Sequence, residues 1–118
     1  METSVPISQL APRTVTRPRG EEAYQKLQEH LLAGAVEVDL GSATLLSFSF
    51  LDGLILQLLE NNQLERITFV APGPELQRKL AQVAGVRKAM IFFREKKGEP
   101  RRMVQPRAAT KIELESHP

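Results

Sequence analysis

The sequence contains no cysteine and no tryptophan, and aromatic residues make up only 5% of its 118 residues. Without cysteine the chain has no disulfide, no thiolate metal ligand and no cysteine nucleophile. Polar residues interrupt each apolar run well before the roughly 20 residues that a membrane-spanning helix needs. The first residues lack the basic-then-apolar pattern of a secretory leader. These absences predict a cytoplasmic protein that does not associate with a membrane.

Charge is distributed unevenly along the chain, although the formal net charge is only +2. Residues 94–118 contain seven Lys or Arg and four Glu, and residues 1–19 contain three Arg and one Glu. Residues 20–93 contain six Lys or Arg against nine Asp or Glu. The basic character therefore comes from the two ends, and the mildly acidic body is not typical of a nucleic-acid-binding face.

Short runs of strand type alternate with amphipathic segments of helix type. Alternating, β-branched or aromatic residues predict four strands, over residues 14–17, 35–40, 66–70 and 89–93. Apolar residues at helical spacing predict three helices, over residues 20–34, 49–60 and 74–85. Strands that alternate with helices favour crossover connections. The sequence therefore predicts a small α/β domain with a mixed sheet of four to five strands and about three helices.

Two segments flank this domain, which is predicted to span residues 13–93. Residues 1–12 contain two prolines and no clear period. They predict a flexible N-terminal arm, in which residues 5–10 have some tendency to dock as an edge strand. Residues 94–118 are basic and interrupted by proline, which predicts either a solvated tail or an extended hairpin with "RRMVQ" and "TKIEL" as its arms.

The central segment "VEVDLGSATLLSFSFLDGLI" resembles the STAS superfamily of sulphate-transporter and anti-sigma-factor-antagonist domains. In that family a strand ending in an apolar-Asp-apolar step leads into a helix start that contains serine, as residues 38–40 ("VDL") and 47–50 ("SFSF") do here. The similarity is closer to the STAS-like domain family of unknown function. Residues 16–17 ("TR") and 50–52 ("FLD") match its Ser/Thr-Arg and aromatic-x-Asp steps.

The resemblance implies a bacterial, non-catalytic regulatory module that binds a regulatory protein. The implied partner is an anti-sigma factor or a sensor ATPase of the histidine-kinase type. Antagonists of this superfamily carry Asp-Ser-Ser-Gly at the helix start, and the first serine is phosphorylated. Phe48 occupies that position here, so the resemblance leaves only Ser49, or Ser47 in a shifted register, as a phosphoacceptor.

Polar and aromatic residues around the start of the second helix form the predicted partner-binding surface. They are Asp39, Ser42, Ser47, Phe48, Ser49 and Asp52. Serine at a helix start also suits an N-cap, and Ser49-x-x-Asp52 is close to a capping box. Asp39 equally suits a side chain that closes a turn. The functional alternative is an anion or phosphate at the helix start, which the free N–H groups and the helix dipole favour.

The sequence contains no group of residues that predicts a reaction. The two histidines, His30 and His117, have no neighbours at metal-ligand spacing, and no nucleophile–base pair is visible. We therefore predict a protein that is not an enzyme and that binds no cofactor and no metal. The alternative function is nucleic-acid binding through the basic termini, for which the candidates are Lys96, Lys97, Arg101 and Arg102.

Overall fold

The computed structural model describes residues 3–106, which form a five-stranded sheet and one layer of helices. The strands are β1 (Thr3–Pro6), β2 (Val36–Asp39), β3 (Ile67–Val70), β4 (Phe92–Arg94) and β5 (Arg102–Met103). The helices are α1 (Ile7–Leu10), α2 (Arg17–Leu31), α3 (Phe48–Glu60) and α4 (Pro74–Arg87). The predicted α/β class and mixed sheet are thereby confirmed. No helix in this part of the chain is long and apolar enough to cross a membrane.

The strands lie side by side in chain order, so that β1 to β4 are parallel and β5 runs antiparallel to β4. Helices connect successive parallel neighbours, and right-handed crossovers of this kind place their helices on one face of the sheet. In agreement, α2 packs along α3 and α3 packs against α4. The loops that follow the carboxyl ends of β2 and β3 therefore lie next to each other at one end of the sheet.

The core lies between the sheet and this helix layer. Alternate strand residues turn inward from the sheet, and the apolar stripes of the long helices meet them. The fully buried side chains include Val36, Val38, Ile67 and Phe69 from the strands and Leu27, Leu54, Leu58 and Leu80 from the helices. Burial of this apolar surface is the main favourable contribution to folding.

Two glycines let α2 and α3 approach each other backbone to backbone. A Cβ atom on Gly20 would lie 2.3 Å from the carbonyl oxygen of Phe50, and one on Gly53 would lie 2.7 Å from that of Arg17. Real Cβ atoms essentially never come this close, and backbone atoms cannot rotate away. The close crossing brings the first residues of α2 over the first turns of α3.

Residues 3–10 do not form the flexible arm predicted for residues 1–12, and the alternative of an edge strand within residues 5–10 is confirmed for residues 5 and 6. Residues 3–6 pair in parallel with β2 as an edge strand, and Ile7 and Leu10 are buried in the core. The strand predicted over residues 14–17 is also wrong, because Thr16 caps α2 and accepts a hydrogen bond from the Arg19 N–H. Proline in the first helical turn, here Pro18, suits a helix start.

The basic segment after β4 forms a hairpin, but only one of its two arms is the predicted one. "RRMVQ" supplies β5, but β5 pairs with β4 across a turn that contains Gly98. The second predicted arm, "TKIEL", lies outside the described residues. Phe93 pairs with Arg102, so β5 adds the fifth strand to the sheet beside β4.

Candidate functional site

The connection from β2 to α3 begins with a turn that Asp39 closes. The Asp39 carboxylate accepts a hydrogen bond from the Gly41 N–H at 2.9 Å. The Ser42 hydroxyl donates to the Asp39 carbonyl at 3.2 Å and also lies 3.4 Å from the Ser8 N–H. Both side chains are occupied by local hydrogen bonds that shape the 3-10 turn Leu40–Ser42. This is the structural role that the sequence left open for Asp39.

Ser47 is the N-cap of α3 and also ties two loops together. Its hydroxyl oxygen accepts a hydrogen bond from the Phe50 N–H at 3.1 Å, and the same hydroxyl donates to the Val15 carbonyl. The Ser47 N–H donates to the Thr14 carbonyl at 2.9 Å, and the Thr14 hydroxyl donates to the Leu45 carbonyl. The loop before α2 and the loop before α3 are therefore held side by side.

The other residues predicted at this helix start point mainly inward. Ser49 is only 9% exposed and Asp52 is 0% exposed, whereas Phe48 is half-buried. Ser47 caps the helix in place of Ser49, so Ser49 and Asp52 form no capping box. The structure therefore corrects the expectation that Ser49 and Asp52 lie on the surface, because the stripe of α3 that carries them faces its neighbouring helices.

Asp52 lies at the centre of an ion-pair triad that joins three helices. Arg17 Nη1, from the first residue of α2, lies 2.6 Å from Asp52 Oδ2. Arg87, the last residue of α4, places Nε 2.6 Å from Oδ1 and Nη2 2.6 Å from Oδ2. The two arginines satisfy both carboxylate oxygens, and their two positive charges exceed the single negative charge that they surround.

The arginines keep Asp52 ionised despite its burial. Burial alone raises the pKa of the Asp52 carboxyl, but hydrogen bonds and charge attraction from Arg87 and Arg17 outweigh it and hold the pKa below its usual value. The hydrogen bond to Asp52 in turn raises the pKa of Arg87. The triad is therefore a charged structural clamp throughout the neutral range.

Two large apolar side chains remain exposed where the hydrogen-bonded loops meet. Leu45 is 60% exposed and Val15 is 43% exposed. Leu45 also lines a groove of about 510 Å³ between the loop that follows β2 and the loop that follows β3. The groove is lined further by Pro72 and Leu76, while the Lys79 ammonium on its wall donates to the Leu46 carbonyl. We call Val15, Leu45 and this groove the carboxyl-end surface.

The four basic residues predicted for nucleic-acid binding lie on or beside the β4–β5 hairpin. Lys96 and Lys97 are exposed in its turn. The Arg101 guanidinium stacks over Phe92, 3.8 Å from the ring centroid, and donates to the carbonyls of Glu65 and Ile67. Arg102 lies over Phe93 at 4.8 Å. Arg101 thus has a structural function, whereas both lysines project into solvent.

Within residues 3–106 no cluster of three or more His, Asp or Glu side chains is placed to hold a metal ion. His30 lies half-buried in the last turn of α2, and His117 lies outside the described residues.

The sequence does not identify Arg17 and Arg87 as the ion-pair partners of Asp52. The usable signal is the aspartate itself, because "FLDGLILQLL" is otherwise almost wholly apolar. A carboxylate on a helix of this kind requires a charged partner when it is buried. Each arginine lies 35 residues away along the chain, so the sequence does not show which cation provides the pairing.

No known family model matches this sequence, and no curated protein or solved structure is significantly similar to it.

Proposed function

We propose that this protein is a non-catalytic protein-binding module that docks a regulatory partner on its carboxyl-end surface. The observation that carries the proposal is the exposure of Leu45 and Val15 on two loops held together by hydrogen bonds. Exposed apolar side chains on a preorganised backbone bind with a smaller loss of conformational entropy than the same residues on a mobile loop. The adjoining groove provides the concave part of the interface.

The extent of the surface is compatible with a protein partner. A specific interface buries on the order of 800 Å² per partner, so contacts must extend beyond the two apolar side chains. The loop after β3 lies beside them and lines the same groove as Leu45. The STAS resemblance makes an anti-sigma factor or a sensor ATPase the proposed partner. Phosphorylation at this site would require the start of α3 to open, because Ser49 is buried and the Ser47 hydroxyl is hydrogen bonded.

Replacing both Val15 and Leu45 with aspartate is expected to abolish partner capture without unfolding the domain. In the complex, each new aspartate would be buried in an apolar contact without a charged partner. In the free protein the fold should tolerate both aspartates, because Val15 and Leu45 are exposed. The measurement is co-purification of the tagged chain from its native cells, with the recovered proteins quantified by mass spectrometry. Thermal unfolding of each variant checks that the fold is intact.

Leu32→Asp is the matched control, because Leu32 is 90% exposed and lies at the opposite, C-terminal end of α2. This control should retain the partner at wild-type levels. Equal recovery of the same partner by the Val15/Leu45 variant would show that the carboxyl-end surface does not form the interface.

The second candidate function is nucleic-acid binding by the β4–β5 hairpin. The observation that favours it is the projection of Lys96 and Lys97 from the same hairpin that carries Arg102 stacked on Phe93. Basic side chains bind a phosphate backbone by releasing counterions, which makes the affinity depend on salt.

For this candidate, replacing Lys96 and Lys97 with glutamine is expected to weaken binding of single-stranded DNA. The slope of log affinity against log salt should become shallower by about 1.4, or about 0.7 per lost phosphate contact. The measurement is fluorescence anisotropy with a labelled oligothymidylate and the full chain. Absence of binding by the wild-type chain at low salt would rule this candidate out.

A further inference from the structure

A second groove lies on the other side of α4, between this helix and the edge strand β5. Four residues of α4 at helical spacing form one wall, namely Pro74, Gln77, Arg78 and Ala81. The opposite wall and floor come from Phe93 and from residues 102–105. The groove has a volume of about 450 Å³ and is open to solvent along the edge of the sheet. It meets the groove of the carboxyl-end surface only at Pro74, because the other α4 residues of that groove are 75, 76 and 79.

Among residues 3–106, no strand pairs with the outer edge of β5, so this part of the chain leaves backbone groups there for a further strand. The Val104 N–H donates to the Ile91 carbonyl at 2.7 Å, so the backbone of Val104 points toward β4. Backbone groups of successive residues in a strand point to opposite sides. The N–H and C=O of Met103 therefore point away from the sheet, and the same alternation, extended two residues past the end of β5, would turn those of Gln105 outward as well. The Met103 side chain is 46% exposed beside them.

The groove is positively charged and has an apolar floor. Arg78 and Arg102 line it without any acidic neighbour in its wall, and within residues 3–106 neither arginine forms an ion pair. Arg102 is oriented by its stacking on Phe93, which leaves guanidinium N–H groups for a ligand. Ala81 and Phe93 supply the apolar contact. These features together match an extended peptide that carries carboxylates.

We propose that this groove binds an extended acidic segment of a partner protein, which adds to β5 as a sixth strand. Main-chain hydrogen bonds to Met103 and Gln105 provide affinity, as in other cases of strand addition to an exposed sheet edge. Acidic side chains of the segment that point toward α4 pair with Arg78 and Arg102 at the mouth of the groove, and the methylene groups of the same side chains contact Ala81 and Phe93. A hexapeptide, which extends to about 20 Å, is long enough to cover residues 102–105.

The test uses the full chain, labelled with nitrogen-15, and an acetylated, amidated hexapeptide of alternating glutamate and valine. In the register that turns the glutamates toward α4, the valines lie on the opposite face of the sheet, so this peptide presents its carboxylates to the groove. Saturable binding is expected, with shifts of the Met103 and Gln105 amide signals. The same peptide with lysine in place of glutamate should not bind, and equal binding of the two peptides would overturn the proposal.

Substitutions then separate the contribution of the two arginines from that of the backbone hydrogen bonds. Arg78→Gln combined with Arg102→Gln should weaken peptide binding by at least about tenfold, since hydrogen bonds between charged groups are lost. Arg13→Gln combined with Lys26→Gln removes the same charge at exposed sites elsewhere and should change the affinity by less than about twofold. Met103→Pro removes an outward N–H that the sheet does not use, and should abolish binding while thermal unfolding stays at the wild-type temperature.

Three further outcomes would overturn the proposal. One is undiminished binding by the Arg78/Arg102 variant. Another is a gain of more than about tenfold in peptide affinity when Glu113 and Glu115 are replaced with glutamine in the full chain, which would make the chain's own C-terminal segment the occupant. The third is displacement of the peptide by an oligothymidylate whose binding also depends on Arg78 and Arg102, which would assign the groove to nucleic acid.

Discussion

Replacing Asp52 with alanine is expected to lower the free energy of unfolding by about 3 kcal/mol, the lower end of the cost of breaking a buried ion pair. The variant leaves Arg17 and Arg87 facing each other without the carboxylate that now separates them. The lower end applies because these arginine side chains are 27% and 29% exposed and retain contact with water. Urea denaturation at pH 7 measures the difference.

Glu29→Ala is the matched control for this variant, because Glu29 is an exposed acid on α2. Its effect should stay within about 0.5 kcal/mol, as for other surface substitutions. A loss of that small size in the Asp52 variant would show that the triad contributes no net stability.

The pH dependence tests whether Asp52 is ionised in the clamp. A carboxyl whose pKa is lower in the folded protein contributes stability above its unfolded pKa of about 3.9, and that stability is lost as the pH falls through the folded pKa. The difference in unfolding free energy between wild type and Asp52→Asn should therefore be constant at neutral pH and narrow below about pH 4. If the wild type instead gained stability relative to Asp52→Asn as the pH falls from about 7 to about 5, burial would dominate over the arginines.

Gly20→Ala is expected to destabilise the fold by about 3 kcal/mol, at the upper end of the cost of overpacking. The new methyl group would lie 2.3 Å from the Phe50 carbonyl oxygen and 2.9 Å from the Leu54 nitrogen, both of which are backbone atoms of α3. Relief of this clash requires α2 and α3 to move apart, which also separates Arg17 from Asp52. The measurement is chemical denaturation, with native near-ultraviolet circular dichroism as a check on folding.

The expected loss of stability is opposite in sign to the usual effect of replacing glycine with alanine in a helix. Alanine in place of glycine inside a helix normally stabilises by about 1 kcal/mol. Lys26→Ala, at an exposed site of the same helix, should change stability by less than about 0.5 kcal/mol. A Gly20→Ala protein more stable than wild type would contradict the close approach of α2 and α3.

Local patterns predicted the middle of the fold well. β2 and β3 follow from short β-branched runs, and α4 follows from Pro74 at its start and apolar residues at helical spacing. The edges were predicted less well. Residues 3–6 carry a proline and only one buried apolar side chain, Val5, and they become a strand because β2 offers a free edge. β5 is likewise defined by pairing with β4 rather than by its own pattern.

For the candidate site, the sequence pointed to the start of the second predicted helix and assigned some of its side chains to the wrong environment. It placed polar residues at the start of α3, and Ser47 and Asp39 take the capping and turn-closing roles that such residues suit. It did not show that Asp52 turns inward, since nearly every neighbouring position of α3 is apolar and helical periodicity then identifies no outer face. Nor did it indicate that the loops of Val15 and Leu45 lie side by side, because these loops join through hydrogen bonds between residues about thirty positions apart.

The sequence by itself determined the alternation of strands and helices and the absence of cysteine chemistry. These features depend on local spacing and composition, which act over a few residues. Only the tertiary structure decided which polar groups are buried and which apolar groups are exposed. Those properties depend on contacts between distant segments, such as the crossing of α2 and α3 at Gly20 and Gly53, that local patterns do not encode.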